Sequence, residues 1–179
     1  MYNIKNIVGV KNMILQFKDK MPIVDPTSIV FPGAVVTGDV VIGKHVGIWY
    51  NSVIRGDMEY IKIGDYTNIQ DGTIIHTNKG IPTHIGNHVT IGHMSIIHAA
   101  TIEDHALIGM GSIILDGAIV KSHAIVAAGT VVPPGKVVES KTLVMGNPMR
   151  VVRMVTEKEI EDIKKNNEFY VQLINEYTK

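Results

Sequence analysis

Aliphatic residues recur along most of this chain at intervals of six positions, and this spacing organises the sequence. The series contains 17 positions: Val30, Val36, Ile42, Ile48, Ile54, Ile63, Ile69, Ile75, Ile85, Ile91, Ile97, Ile102, Ile108, Ile114, Val120, Val126 and Val132. Three extra residues follow the hexad of Ile54, four follow that of Ile75, and one is missing after Ile97. A fixed six-residue repeat is typical of a β-helix, in which each repeat forms a short strand and successive coils stack.

The third residue after each aliphatic position predicts a tight corner. Fourteen of these 17 residues are Gly, Asn, Asp or His, which tolerate positive φ better than other residues. The set includes Asp39, Asp57 and Asn78, and Ala100 is one of its three exceptions. A β-sandwich would need longer alternating strands and irregular loops. We therefore predict an all-β solenoid in which one aliphatic side chain per strand points into the core.

The chain changes character after the repeat. The segment Gly146-Asn147-Pro148 interrupts the pattern, and Thr156 with Glu159 forms a capping box ahead of apolar residues at helical spacing. We expect three parts, namely an N-terminal extended segment (1–28), the β-helix (29–148) and a C-terminal helix packed on the solenoid (149–179).

Composition excludes several classes of protein. The 17 basic and 17 acidic residues cancel, so no net charge favours nucleic acid or an anionic membrane surface. No run of about 18 apolar residues is present, and the first 20 residues lack a signal-peptide core. We therefore expect a cytoplasmic protein that binds neither nucleic acid nor membrane. Because the sequence contains no Cys, a transition-metal site would use His, Asp or Glu.

Half of the eight histidines are interpreted as corner residues rather than ligands. His45, His88, His105 and His123 each stand at the third place after an aliphatic position. A histidine there serves as a residue that accepts the left-handed backbone conformation.

His76 and His98 stand directly after an aliphatic residue, where the side chain points outwards. They are three hexads apart. If one coil contains three hexads, the two histidines lie on the same face of adjacent coils, separated by the strand spacing of about 4.8 Å. Arg55 lies one coil below His76 in the same column. Two imidazoles placed in this way can share one metal ion.

His93 stands two places after Ile91, on a different face and beside a corner. Its separation from His98 is about 15 Å of extended chain at ~3.3 Å per residue, too far to share a metal within one chain. We therefore expect His93 to complete the site of a neighbouring subunit in a trimer. Asp71, one coil below His93, would then approach the partner subunit's Arg55 and form an ion pair.

Three imidazole ligands with a fourth position open to water are the arrangement of catalytic zinc. Such a metal lowers the pKa of the water to about 7. Imidazole nitrogens also suit iron or cobalt. The three histidines therefore predict a catalytic metal centre between subunits.

The segments Val53–Asp57, Asn68–Gly72 and Ile91–His98 resemble the γ-class carbonic anhydrases of the hexapeptide-repeat family. The resemblance runs from about Pro22 to the C-terminal helix. It implies a left-handed β-helix with three hexads per coil, and a homotrimer. It also implies metal ligation by His76 and His98 of one subunit with His93 of the next. Further roles follow from the same resemblance: Gln70 and Asn68 hydrogen-bond near the solvent at the metal, Tyr170 reaches the site, and Arg55, Asp57 and Asp71 form a polar network between subunits.

The sequence departs from the best-known branch of that family in its carboxylates. Met58 follows Asp57 where that branch has Glu, and Glu59 is shifted by one position. The loop Thr77–Gly80 is short and lacks the acidic residue proposed to carry protons. These features are similar to those of a short-loop bacterial branch.

We predict a zinc-dependent enzyme that reversibly hydrates CO2, a small-molecule substrate, with Gln70 orienting the attacking hydroxide. Iron or cobalt are the alternative metals. Three other functions stay open: a hexapeptide acyltransferase, a thioesterase that uses the same metal chemistry on acyl-CoA, and a catalytically weak trimeric scaffold that retains the site. Stoichiometric bound metal would count against the acyltransferase.

Overall fold

Each hexad forms one short strand, because its β-branched side chain enters the core and the next residues turn a corner. The computed structural model describes residues 13–178 and is a left-handed parallel β-helix with one C-terminal α-helix. The elements in chain order are β1 (Met13–Leu15), β2 (Ile23–Val24), β3 (Ile29–Val30), β4 (Val35–Ile42), β5 (Gly47–Ile48), β6 (Val53–Ile63), β7 (Asn68–Ile69), β8 (Ile74–His76), β9 (Thr83–Ile85), β10 (Thr90–Ile91), β11 (Ile96–His98), β12 (Thr101–Ile102), β13 (Leu107–Ile108), β14 (Ile113–Ile114), β15 (Ile119–Val120), β16 (Ile125–Val126), β17 (Val131–Val132), β18 (Val137–Val138), β19 (Thr142–Met145), β20 (Arg150–Met154) and α1 (Glu157–Thr178).

The strands stack into three faces. The first face contains the starts of β4 and β6 followed by β8, β11, β14 and β17. The second contains the ends of β4 and β6 followed by β9, β12, β15 and β18. The third contains β3, β5, β7, β10, β13, β16 and β19, one strand for each of seven coils. Strands of successive coils pair in parallel, so residues of equal position in the hexad form columns along each face.

The core confirms the hexad prediction. All 17 aliphatic positions are buried, and none is more than 6% exposed. The series continues at Val138 and Val144, both 0% exposed, which the sequence prediction did not include. Each such side chain contributes about 1.5–3 kcal/mol through burial. The core of the solenoid is therefore a continuous aliphatic column.

The predicted corners are confirmed at 13 of the 17 positions, which have positive φ. The prediction is wrong at Asp39, Asp57, Asn78 and Ala100. Asp39 and Asp57 lie inside the long strands β4 and β6, where the chain continues without a corner. Asn78 lies in the loop after β8, and Ala99 rather than Ala100 has positive φ, because one residue is missing from the repeat there.

A ladder of side-chain caps follows the corner between the second and third faces. Lys44 N donates to Asp65 Oδ1 at 2.8 Å, and Asp65 N donates to Asn87 Oδ1 at 2.8 Å. Asn87 N donates to Asp104 Oδ1 at 2.7 Å. Each carboxylate or amide thus satisfies a backbone N–H of the preceding coil. A Cβ on Gly86 would overlap Oδ1 of Asp104, so this ladder requires glycine at position 86.

Five rings stack along the same corner. Successive ring centroids of His45, Tyr66, His88, His105 and His123 lie 5.0, 5.0, 4.9 and 4.8 Å apart. The four histidines all have positive φ, which confirms their interpretation as corner residues. We call this set the ring stack. Burial lowers the pKa of His105, and the neighbouring His123 and His88 lower it further.

Helix α1 begins with the predicted capping box. Glu159 N donates to Thr156 Oγ1 at 3.2 Å, and Thr156 N donates to Glu159 Oε2 at 2.9 Å. Arg153 also binds both oxygens of Glu159 at 2.8 Å. The hydrogen bonds from Arg153, then those from Thr156, lower the pKa of Glu159 to about 2. Ahead of the helix, β20 pairs antiparallel with β19; the sequence did not predict this strand.

Helix α1 packs on the outer surface of the third face. Ile174 is 2% exposed in a cluster with Phe31 and Trp49. Asn167 Nδ2 donates to the carbonyl of Tyr66 at 2.9 Å. A cavity of about 280 Å³ separates the ring stack from the start of the helix. Within residues 13–178, no helix has the length and apolar character needed to cross a membrane. The first 12 residues of the predicted N-terminal segment lie outside the described residues.

Candidate metal centre

The strand register confirms the predicted histidine column on the first face. His76 ends β8 and His98 ends β11, and the two residues are register partners. Arg55 of β6 is the register partner of His76 on the other side. The three side chains therefore stack on successive coils.

The two imidazoles face each other with a nitrogen from each ring. His76 Nδ1 lies 3.2 Å from His98 Nε2, and the rings are tilted by 57°. Two imidazole nitrogens bound at 2.0–2.1 Å to one tetrahedral metal are about 3.3 Å apart. The pair therefore fits two ligands of a single metal ion.

The other nitrogen of His76 contacts a carboxylate. His76 Nε2 lies 2.9 Å from Asp57 Oδ1, and Asp57 Oδ2 accepts a hydrogen bond from Arg55 Nη1 at 2.5 Å. Burial raises the pKa of Asp57, but the hydrogen bonds from His76 and Arg55 outweigh burial and hold that pKa below its ordinary value. Asp57 is therefore ionised at neutral pH and holds the ring of His76.

The second imidazole also has a carboxylate partner, which the sequence analysis missed. His98 Nδ1 lies 2.5 Å from Asp116 Oδ1, and Asn78 Nδ2 donates to Asp116 Oδ2 at 2.6 Å. The hydrogen bonds from His98 and then Asn78 hold the pKa of Asp116 below its ordinary value. Because Ile97 pairs with Ile114, Asp116 lies one coil beyond His98 and one place past its column. The spacing of 18 residues between His98 and Asp116 is the signal in the sequence that could have identified Asp116 as the partner of His98.

His93 belongs to a different part of the surface, as predicted. It follows β10 of the third face, and its Nδ1 lies 2.8 Å from Asp71 Oδ2. Both side chains are 43% exposed. Among residues 13–178, no three His, Asp or Glu side chains converge as a metal-binding group within the single chain. In this chain Arg55 pairs with Asp57 and Asp71 pairs with His93, and the predicted pair between subunits stays a prediction.

Like His93, three other predicted site residues lie on the third face or on the helix packed against it. Gln70 Nε2 donates to Asn68 Oδ1 at 3.3 Å, and Asn68 Nδ2 donates to Thr90 Oγ1 at 2.9 Å. Asn68 is 1% and Gln70 is 5% exposed. Tyr170 of α1 packs edge-on against Trp49, and burial together with the charge of Asp71 raises the pKa of its hydroxyl. The structure thus separates the predicted residues into a set around His76 and His98 and a set around His93.

The short loop after His76 is fixed from two sides. Glu59 Oε1 accepts a hydrogen bond from Gly80 N at 2.9 Å, and Glu59 N donates to Thr77 Oγ1 at 3.1 Å. Asn78 of the same loop binds Asp116. The carboxylate of Glu59 is therefore used to hold the loop.

The fold and the histidine column define a hexapeptide-repeat β-helix protein with a candidate metal centre. The family model for bacterial transferase hexapeptide (six repeats) matches residues 99–134. The "Probable carbonic anhydrase" of Methanocaldococcus jannaschii is 57% identical over 141 residues, which are 79% of this chain and 89% of that protein. "Gamma carbonic anhydrase 2, mitochondrial" of Arabidopsis thaliana is 44% identical over 87% of this chain and 58% of that protein. This chain belongs to the γ-class carbonic anhydrase family.

A solved structure shares the whole fold. It comes from a Bacillus cereus protein described as a candidate acetyltransferase, and it matches with a TM-score of 0.92. Its sequence is 38% identical to this one, and the match covers 93% of this chain and 97% of that chain. Family membership supports a carbonic-anhydrase-like function.

Proposed function

We propose that this protein is a homotrimeric, metal-dependent enzyme that reversibly hydrates CO2 to bicarbonate. The observation that carries this proposal is the pair of facing nitrogens of His76 and His98, 3.2 Å apart, with a carboxylate on the other nitrogen of each ring. Carboxylate partners of this kind orient metal-binding histidines and raise their basicity. The donor set of imidazoles favours zinc, with iron or cobalt as alternatives.

The third ligand is proposed to be His93 of the partner subunit. Two exposed apolar surfaces support the trimer. Ile74 and Ile96, which are 38% and 37% exposed, lie on the face of His76 and His98, and Met94, which is 70% exposed, follows His93. Exposed apolar side chains beside both halves of the site are typical of an interface. Docking of these surfaces would bury them and bring His93 towards the other two histidines.

The reaction needs a nucleophilic oxygen at neutral pH. A divalent metal held by three imidazoles supplies this chemistry when bound, because it lowers the pKa of water. Nε2 of Gln70 donates a hydrogen bond to Oδ1 of Asn68. Oε1 of Gln70 is therefore the atom that can accept a hydrogen bond. We propose that Oε1 accepts the hydrogen of the attacking oxygen and turns its lone pair towards the carbon of CO2. Burial and the nearby charge of Asp71 keep the hydroxyl of Tyr170 protonated, so Tyr170 acts as a hydrogen-bond donor at the site.

The first experiment is metal analysis of protein purified anaerobically without chelators. We expect one metal ion per chain. The zinc- and iron-loaded forms are then assayed for CO2 hydration by stopped flow and for hydrolysis of short acyl-CoA thioesters. CO2 hydration without thioester cleavage supports the proposal. Thioester cleavage alone, or protein without metal, would overturn it.

A histidine variant supplies the matched control. His93→Ala is expected to lose metal from every site of the trimer while its circular dichroism stays that of the wild type. His88→Ala removes a histidine of the ring stack instead and is expected to keep full metal content. Wild-type metal content in His93→Ala would remove His93 from the ligand set.

A further inference from the structure

We propose that Asp116 and Asn78 are positioning residues for His98. Asp116 accepts the Nδ1 hydrogen of His98 and thereby fixes the ring tautomer that directs the lone pair of Nε2 into the metal centre. Asn78 holds Asp116 in that orientation. This inference rests on the proposed function in one respect, namely that His98 binds a metal.

The tautomer follows from hydrogen-bond chemistry. A neutral imidazole has one donor and one acceptor nitrogen, and an ionised carboxylate only accepts. Because Nδ1 of His98 lies 2.5 Å from Asp116 Oδ1, Nδ1 carries the hydrogen. Nε2 is then the acceptor, and this is the nitrogen that faces His76 at 3.2 Å. The contact therefore selects the nitrogen that is free to bind a metal.

Asn78 completes the arrangement from a separate part of the chain. Its Nδ2 donates to Asp116 Oδ2 at 2.6 Å across 38 residues of sequence. An amide can donate to this carboxylate, whereas a carboxylate at position 78 would repel it. The absence of an acid from the short loop therefore has a structural consequence. Through Asn78, the loop holds Asp116 against His98. Glu59 Oε1 in turn accepts a hydrogen bond from Gly80 N at 2.9 Å and holds the loop.

The two histidines of the column have independent supports. His76 contacts Asp57, which Arg55 holds, while His98 contacts Asp116, which Asn78 holds. Loss of one support leaves the other in place. We therefore expect removal of Asp116 to weaken metal binding without abolishing it.

The test measures metal affinity rather than activity. Cobalt(II) affinity is determined by chelator competition, and the visible absorption of the bound cobalt reports the ligand set. Asp116→Ala is expected to weaken binding about 10–100-fold, and Asn78→Ala is expected to have a smaller effect in the same direction. Asp104→Ala is the matched control, because Asp104 caps a backbone N–H at another corner. It is expected to lower thermal stability and leave the cobalt affinity unchanged.

Two outcomes would overturn the inference. One is cobalt binding by Asp116→Ala within twofold of the wild type. The other is equal loss of affinity in Asp104→Ala, which would show a general loss of stability. If Asp116→Ala does not fold, Asp116→Leu, which cannot accept a hydrogen bond, replaces it with the same expectation.

A second measurement separates this inference from the proposed function. Nitrogen-15 chemical shifts of the imidazoles in metal-free protein report the tautomer directly. We expect His98 to carry its hydrogen on Nδ1 in the wild type and to become a mixture of tautomers in Asp116→Ala. This result is expected even if the wild type binds no metal. Absence of metal would refute the proposed function but would leave the role of Asp116 in place. A mixture in the wild type would refute the role of Asp116.

Discussion

Replacing His105 with Asn is expected to weaken the pH dependence of stability as the pH falls below 6.5, the ordinary pKa of histidine. Within the ring stack, His105 lies between two other imidazoles, those of His88 and His123, and its pKa is lowered by burial and by His123 and His88. Lys164 lowers it further, while Asp104 acts in the opposite direction. Asn is the chosen replacement because it also tolerates the positive φ of this corner.

The sign of the effect follows from proton binding. The folded pKa of His105 lies below its ordinary value of 6.5. Between the two values the unfolded chain binds more protons, so the free energy of unfolding rises with pH in that window. The stability is fully present above pH 6.5 and is lost as the pH falls below it.

Burial makes the largest contribution to the shift, and the ring spacing gives the scale of the charge repulsion that adds to it. The centroid of His105 lies 4.9 Å from that of His88 and 4.8 Å from that of His123. Two unit charges at this distance repel by about 1 kcal/mol in water and by about 3 kcal/mol at an effective dielectric constant of 20. Because the rings are partly exposed, solvent screening favours the lower figure. We expect the wild type to lose about 1 kcal/mol more than His105→Asn over this pH range.

The assay is urea unfolding followed by circular dichroism, at one protein concentration and with a chelator present. The chelator keeps every protein free of metal, and the fixed concentration removes the effect of subunit association. His45→Asn is the control, since His45 also has positive φ but stacks on Tyr66 at the end of the ring stack. It is expected to keep the wild-type pH dependence. A His105→Asn protein with the wild-type pH dependence would refute the electrostatic reasoning.

Two further predictions concern the cap ladder and the start of α1. Gly86→Ala is expected to lower the free energy of unfolding by about 1–3 kcal/mol, because the new Cβ overlaps Asp104; unchanged urea unfolding would contradict this. Glu159→Gln is expected to reduce the stability of the helix above about pH 4.5, where the wild-type carboxylate is ionised. The difference between the two proteins should vanish as the pH falls towards 2, the pKa of Glu159. Helix content measured by circular dichroism checks this, and a difference that persists at pH 2 would contradict it.

The fold could be predicted largely from the sequence because its repeat is short and regular. One buried aliphatic residue in six identifies each strand, and the corner residues mark each turn. The errors lie where residues are inserted or deleted. At Asp57 the strand runs through the expected corner, and at Ala100 the missing residue moves the corner to Ala99. The strand Arg150–Met154 was missed because its pairing is antiparallel and lies outside the hexad pattern.

The candidate site was predicted less completely than the fold. Column positions place His76 beside His98, because a repeat with parallel register fixes which residues are neighbours. Asp116 was missed because only residues in the column of His98 were considered, and Asp116 lies one place past that column. Its carboxylate nevertheless reaches His98 Nδ1. Asn78 was missed because the periodicity assigned it to a corner, whereas it lies in the loop after β8. The column positions separate His93 from His76 and His98, but the proposed contact between His93 and the metal centre of a neighbouring subunit depends on assembly, which the strand register within one chain does not specify.

The most direct test of the central claim, a metal site shared between subunits, is the metal content of mixed trimers. His93→Ala and His98→Ala chains are unfolded, mixed in equal amounts and refolded together. Each parent alone is expected to bind no metal. In random mixtures, about one quarter of the sites combine an intact His76 and His98 pair with an intact His93 from the next subunit. We predict metal at about one quarter of the wild-type content, and a mixture as empty as its parents would contradict a site shared between subunits.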